Sequence, residues 1–195
     1  MPEIVVDIIS NGVLHIEILI SFGHRMFLRS LQSGSDTVLA RMGRRYTAEE
    51  YLRNADRLRE YMPDSAVTTD VIAGFPGETE AEHAETAAFL RQAGFARIHV
   101  FPYSRRPGTK AASMPGQLTR QEKARRAREL IKVGDELEKA FIDRQIGTVQ
   151  QVLMEEDGTG YTKNYVRVRC PGPAGEPVTV RIVGRENTIA VGKEI

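Results

Sequence analysis

With one cysteine, Cys170, in 195 residues, the chain cannot close an internal disulfide or supply the three or four thiolates of a zinc or iron-sulfur site. A disulfide scaffold and a self-contained metallocluster are both excluded. Excess charge of one sign is missing too: 27 basic residues face 26 acidic ones, so overall basicity offers no argument for nucleic-acid binding. Such a case must rest on where the charges lie. There is also no long apolar run. The stretch Ile4 to Phe22 is interrupted by Asp7, Asn11, His15 and Glu17, so it does not read as a membrane span. It lacks a basic start and a small-residue cleavage site, which makes the expected location cytoplasmic. What the chain does have is 41% hydrophobic residues, enough for a core at this length.

Charge is unevenly placed. Residues 36–93 carry 7 basic and 11 acidic side chains, whereas residues 105–132 carry 9 and 2. The basic block holds Arg105, Arg106, Lys110, Arg120, Lys123, Arg125, Arg126, Arg128 and Lys132. Such a density can neutralise several phosphates, or it can be the solvated face of an arginine-rich helix.

Three helix starts share one device, a threonine followed three residues later by glutamate, so that each side chain satisfies the other's exposed backbone amide. They are Thr47/Glu50, Thr79/Glu82 and Thr119/Glu122. After Thr47, Tyr51, Leu52, Ala55, Leu58 and Met62 recur at helical spacing until Pro63. The second helix is expected to run to Gly94, and the third through Leu130, Ile131, Leu137 and Phe141 to near Gly147. Between them, Ala66 to Ala73 and Arg97 to Tyr103 are β-prone runs. Strand, helix, strand implies a right-handed parallel βαβ unit. Alternation puts Val67, Thr69, Val71 and Ala73 on one face and Thr68, Asp70, Ile72 and Gly74 on the other. Ile98 and Val100 likewise oppose His99, Phe101 and Tyr103. If the polar face lines a barrel interior, Asp70 and His99 sit below a ligand site at the C-terminal strand ends. As an isolated interior histidine, His99 reads as structural rather than catalytic. Glu78 reads as a first-turn residue favoured by the helix dipole, and His83, on an expected surface helix, has no assigned role.

From Gly147 the texture becomes all-β, with short strands at Val149 to Glu155, Tyr161 to Cys170 and Pro177 to Val183 between turn-rich segments. Val166, Val168 and Cys170 share one side, so Cys170 reads as a small buried hydrophobe rather than a reactive thiol. The opposite side carries Tyr165, Arg167 and Arg169. With Lys163 and Arg181 these would form a basic, aromatic-bearing outer face.

The segments LQSGSD (31–36), RMGRRYTAEEY (41–51), TTDVIAGFPGET (68–79) and FARIHVFPYSRRPGTKAA (95–112) stand in order at natural distances. Together they resemble the methylthiotransferases of the radical S-adenosylmethionine superfamily. The β region, with GYTKNYVRV in its second strand, resembles the small tRNA-binding barrel called TRAM that ends these enzymes. That phrase and HVFPYSRRPGT are most similar to the subgroup acting on threonylcarbamoyladenosine in tRNA. Sister subgroups act on isopentenyladenosine in tRNA or on an aspartate of a ribosomal protein.

The resemblance implies an α/β fold in two parts: residues 1–145, a partial parallel β/α half barrel of the TIM type with a long linker helix, and residues 146–195, a TRAM-like all-β barrel. It implies S-adenosylmethionine, with Gln32, Ser33, Asp70, Gly74 and Phe75 meeting it. An alternative for Asp70 is a carboxylate tied to backbone amides. Arg105 and Arg106 would meet a substrate phosphate or carboxylate, and Lys163, Tyr165, Arg167, Arg169 and Arg181 would meet tRNA, with no DNA or membrane partner. The family's two 4Fe-4S clusters use cysteine triads that this sequence lacks, so no metal ligand or catalytic residue is expected in the chain. In the parent reaction a radical made from S-adenosylmethionine abstracts hydrogen from the modified adenosine, and methylthio takes its place. Residues 1–29 depart from the family pattern, which reads as a truncated or frame-disturbed open reading frame. The expected protein is thus a fragment of a tRNA methylthiotransferase or a non-catalytic RNA-binding relative of one. An unrelated phosphate-binding β/α enzyme would need a glycine-rich phosphate loop, which is not found.

Overall fold

The computed structural model describes residues 26–28 and 30–195. The Ile4–Phe22 stretch lies outside these residues. Among the described residues no helix is long and apolar enough to cross a membrane.

Three parallel strands form one sheet in the order β1 (Met26–Leu28), β2 (Ala66–Ala73), β3 (Arg97–Pro102). The expected strand–helix–strand unit is present, with α3 (Glu80–Ala93) between β2 and β3. The segment read as departing from the family pattern nevertheless yields a strand. Phe27 pairs with Val67 and is buried, and burying one apolar face specifies the register.

Helices cover one face of the sheet. Val67, Val71 and Ala73 share a core with Tyr51 of α2 (Ala48–Tyr61), Phe89 and Leu90 of α3, and Leu130 of α5 (Arg120–Asp143). Each large side chain buried there stabilises the fold by about 1.5–3 kcal/mol. The Tyr51 ring meets Phe89 and Phe95 edge-on, and its hydroxyl reaches Thr69 Oγ1 at 3.3 Å. Thr47/Glu50 and Thr79/Glu82 form complete reciprocal caps. Thr119 makes only half of one, because the Glu122 carboxylate turns to Arg125 and Arg126 instead. Helix α5 stops at Asp143, not near Gly147, since Gly147 N is already hydrogen-bonded to Ile182 O of the next sheet. Two short helices, α1 (Asp36–Arg41) and α4 (Lys110–Ser113), are too brief to show a helical period in sequence.

The remaining strands are β4 (Val149–Met154), β5 (Thr159–Thr162), β6 (Arg167–Arg169), β7 (Pro177–Glu186) and β8 (Ile189–Glu194). They close a barrel in the order β4-β5-β6-β8-β7, with only β6 and β8 parallel. The expected strand Tyr161–Cys170 is split in two by a turn at Tyr165, whose φ is 58° and whose N–H bonds Thr162 O. Val152, Met154, Val166, Val168, Cys170, Val180 and Ile182 fill the interior. A side chain at Gly160 would put its Cβ 2.3 Å from Leu153 O, so the close β4–β5 approach requires glycine.

The barrel is seated on the N-terminal end of the sheet. Ala66, Ala96, Phe141 and Ile142 belong to the same apolar cluster as the barrel core. Asn164, buried, donates to Asp64 O at 3.0 Å and to Gln145 Oε1 at 3.3 Å, and accepts from Thr162 Oγ1.

Candidate functional site

The face of the sheet turned away from the helices carries Asp70 and Ile72 on β2 and their register partners His99 and Phe101 on β3. Phe101 is 53% exposed and His99 is exposed as well, so the expectation of an interior histidine is corrected. Asp70, half-buried, accepts from Ser30 Oγ at 2.8 Å; it is a side-chain hydroxyl, not backbone amides, that ties it. Beyond β1 the chain continues beside β2. Gln32 N donates to Asp70 O and Gln32 O accepts from Ile72 N, both at 2.9 Å. These bonds hold Gln32 at φ 71°, an uncommon conformation for a residue other than glycine, of the kind that clusters at ligand sites. Gln32 and Asp70 are therefore hydrogen-bonded neighbours along the backbone.

Ser33, Gly74 and Phe75, expected to meet a cofactor, are engaged elsewhere. Ser33 is fully buried and its hydroxyl pairs with Thr86 Oγ1 at 3.1 Å, which fixes the loop to α3. Gly74, at φ 76°, is approached by α5 and not by open space: a Cβ there would lie 2.5 Å from Lys123 Cγ. Phe75 is 6% exposed and meets Tyr103 edge-on, ring centroids 5.4 Å apart. Sequence alternation places Tyr103 on the polar face without marking its role. Its hydroxyl is buried with no hydrogen-bond partner among the described residues, an arrangement that a bound ligand would satisfy.

Glu78 is not an exposed first-turn residue. Its side chain is 1% exposed, it accepts from Gly74 N at 2.6 Å, and it pairs with Arg126 Nη1 at 3.0 Å. Arg126, equally buried, also donates to Glu78 O, Glu80 and Glu122. Arg125 is shared among Glu80, Glu122 and Glu129, while His83, buried rather than exposed, joins Glu129 through Nε2 at 2.9 Å. The centre of the basic block is thus an internal clamp holding α5 to the turn after β2. Lys123 lies over the Tyr103 ring at 5.5 Å; Arg120, Arg128 and Lys132 stay exposed. Glu82, on α3, ties that helix to α1 instead, through Arg41 and Thr37. Burial pushes its carboxyl up, but hydrogen bonds from Arg41, Thr37 and Thr79 outweigh this and hold it at about 2.

Arg105 and Arg106 follow β3 at its C-terminal end, both exposed. Arg105 Nε donates to Ala112 O at 2.8 Å, and with Thr109, Lys110 and Ser113 it lines a cleft of about 680 Å³. On the barrel, Lys163, Arg169 and Arg181 are exposed, Tyr165 is 44% exposed, and Arg167 is half-buried. The arrangement is less free than alternation suggests, because Arg167 pairs with Asp157, Arg169 with Glu186, and Arg181 donates to Gly147 O. Lys193, cross-strand from Arg181 and exposed, adds a basic group that the expected strands did not reach.

Cys170 is buried, its sulfur 3.4 Å from that of Met154, and burial pushes the thiol pKa up. No group of three or more metal-ligating side chains occurs among the described residues. Anaerobic reconstitution with iron and sulfide should yield no stoichiometric four-iron absorption, since the chain's one thiol points into the barrel core. A spectrum amounting to one cluster per chain would overturn this.

A profile of the radical SAM superfamily matches residues 1–90. The threonylcarbamoyladenosine tRNA methylthiotransferase MtaB of Bacillus subtilis is 41% identical over 165 residues, 78% of this chain and 37% of that protein. The tRNA-2-methylthio-N(6)-dimethylallyladenosine synthase of Frankia alni is 48% identical over 126 residues, covering 65% of this chain and 25% of that protein. The MtaB of Thermotoga maritima is 38% identical over 159 residues, with 78% and 37% covered. The chain spans 25–37% of the length of these relatives.

Proposed function

From the premise that the chain belongs to the radical SAM methylthiotransferase family, we propose that it is the part of a tRNA methylthiotransferase that supplies one wall of the S-adenosylmethionine site and the RNA-binding barrel. The parent activity in this reading adds methylthio to threonylcarbamoyladenosine in tRNA. Residues 1–145 act as the partial β/α barrel and residues 146–195 as the TRAM-like unit.

The observation that carries the reading is Asp70 with the Gln32 backbone hydrogen-bonded beside it on β2; past the C-terminal end of β3, where β/α folds hold their ligands, lies the buried Tyr103 hydroxyl, which has no hydrogen-bond partner among the described residues. Asp70 and Gln32 suit the hydroxyl and amino groups of S-adenosylmethionine, and the Tyr103 hydroxyl offers one further donor. Ser33, Gly74 and Phe75 position this wall from behind. The iron-sulfur clusters of the family do not fit this chain, because a single buried cysteine cannot hold them. The second reading is an RNA-binding protein without catalysis, for which the barrel's basic outer face alone would serve.

Filter binding against two tRNAs that differ only in the threonylcarbamoyl group separates these readings. The first expects the modified tRNA to bind more tightly. Equal affinity would leave RNA binding by the barrel alone, and preference for a dimethylallyl-modified tRNA would move the assignment to the sister substrate.

A further inference from the structure

Between the barrel and the N-terminal end of the sheet lies a cavity of about 190 Å³ that the reading above does not use. It falls below the roughly 300 Å³ at which drug-sized sites begin, so it suits one planar ring system and not a whole nucleotide. Its floor is Phe141, buried, and its rim holds Tyr165, His99, Arg97, Arg167 and Glu138. Asn164, also in the wall, is fully used in docking the barrel. Glu138 is different. Its side chain is 24% exposed, and its nearest cation, Arg97 Nε, stands 3.9 Å away, too far for a hydrogen bond. Burial pushes its carboxyl up, as expected for an acceptor that lacks close donors.

We propose that this cavity receives one unstacked guanine base of an RNA strand, with the Glu138 carboxylate accepting from its ring N–H and exocyclic amine and Tyr165 stacking on its face. The inference rests on the RNA-binding reading and deepens it. A carboxylate presents acceptors only, and guanine is the base whose pairing edge sets two N–H donors side by side. Adenine, cytosine and uracil each place an acceptor against the carboxylate. Single-stranded RNA is read in this way, by splaying a base onto an aromatic ring and hydrogen-bonding its edge. Arg97 and Arg167 at the rim are placed for the flanking phosphates, as a strand crossing the barrel's outer face would require.

The test titrates GMP, AMP, CMP and UMP separately into the full isotope-labelled chain, following side-chain resonances by NMR, with tRNA filter binding in parallel. GMP should saturate and shift Tyr165, His99 and Glu138, with the other three at least about tenfold weaker by the loss of paired donors. Glu138→Gln, which replaces one acceptor by a donor on a partly exposed side chain, should lose about tenfold for GMP and little for UMP. Four nucleotides binding alike, or Glu138→Gln binding GMP as tightly as the parent chain, would overturn the proposal. Should tRNA bind while GMP does not, the pocket assignment is wrong and the RNA reading stands. Should GMP saturate while tRNA does not bind, the RNA reading is wrong and the cavity is a mononucleotide site.

Discussion

Replacing Arg126 with alanine should destabilise the chain by about 3–5 kcal/mol in urea denaturation, the loss typical of stranding one member of a buried ion pair. Arg126 lies deep in the seam between α5 and the turn after β2, its side chain 4% exposed against 1% for Glu78. With it gone, Glu78 keeps the amide of Gly74 but loses the one cation that pairs with it among the described residues, and the backbone carbonyls of Glu78 and Thr79 lose a donor. The expected failure is therefore local first, with α5 parting from the turn that carries Gly74 and Phe75. Two comparisons give the result its meaning. Arg125→Ala removes a residue with three acidic partners, yet its side chain is 37% exposed and water can take their place, so the loss should be much smaller. Arg126→Met combined with Glu78→Leu should recover most of the stability, because what costs is the unpaired charge and not the absence of the pair. If Arg126→Ala proves no worse than Arg125→Ala, the clamp is not what holds α5 to the sheet.

That clamp also shows where sequence reasoning stops. The positions of β2, α3 and β3 were legible because their periodicity and caps are local: Val67, Val71 and Ala73 alternate, and Thr79/Glu82 is a self-contained box. The inward set Val166, Val168 and Cys170 was legible for the same reason. Glu78, His83 and Arg126 were misread because their partners lie more than forty residues away, and a charged residue in a helical pattern carries no mark of burial. The split at Tyr165 was hidden by a non-glycine residue at positive φ.

At the candidate site, Asp70 was proposed from strand alternation and Gln32 from resemblance, and their backbones are hydrogen-bonded to each other. Ser33, Gly74 and Phe75 come from the same motifs, but they face Thr86, Lys123 and Tyr103. A motif marks a neighbourhood without saying which side chains point into it. The barrel's outer face was correct in its basic residues and silent on their acidic partners Asp157 and Glu186, because cross-strand charge pairs depend on register, which alternation does not supply.

The most direct measurement of the account is the affinity of the full chain for tRNA as a function of salt. If Lys163, Arg167, Arg169 and Arg181 each neutralise a phosphate, log affinity should fall against log salt with a slope near −3, each contact contributing about 0.7–0.9. Arg167→Ala with Arg169→Ala should flatten that slope by up to about one unit per lost contact and weaken binding alike across RNA sequences. Both side chains point away from the barrel core; Arg167 also donates to the buried Thr159 hydroxyl, but that hydroxyl keeps Asp157 as its own partner, so the fold should survive. A folded double variant that binds tRNA as tightly as the parent chain at every salt concentration would contradict the account, and the outer face of the barrel would then be a solvated surface held together by its own ion pairs.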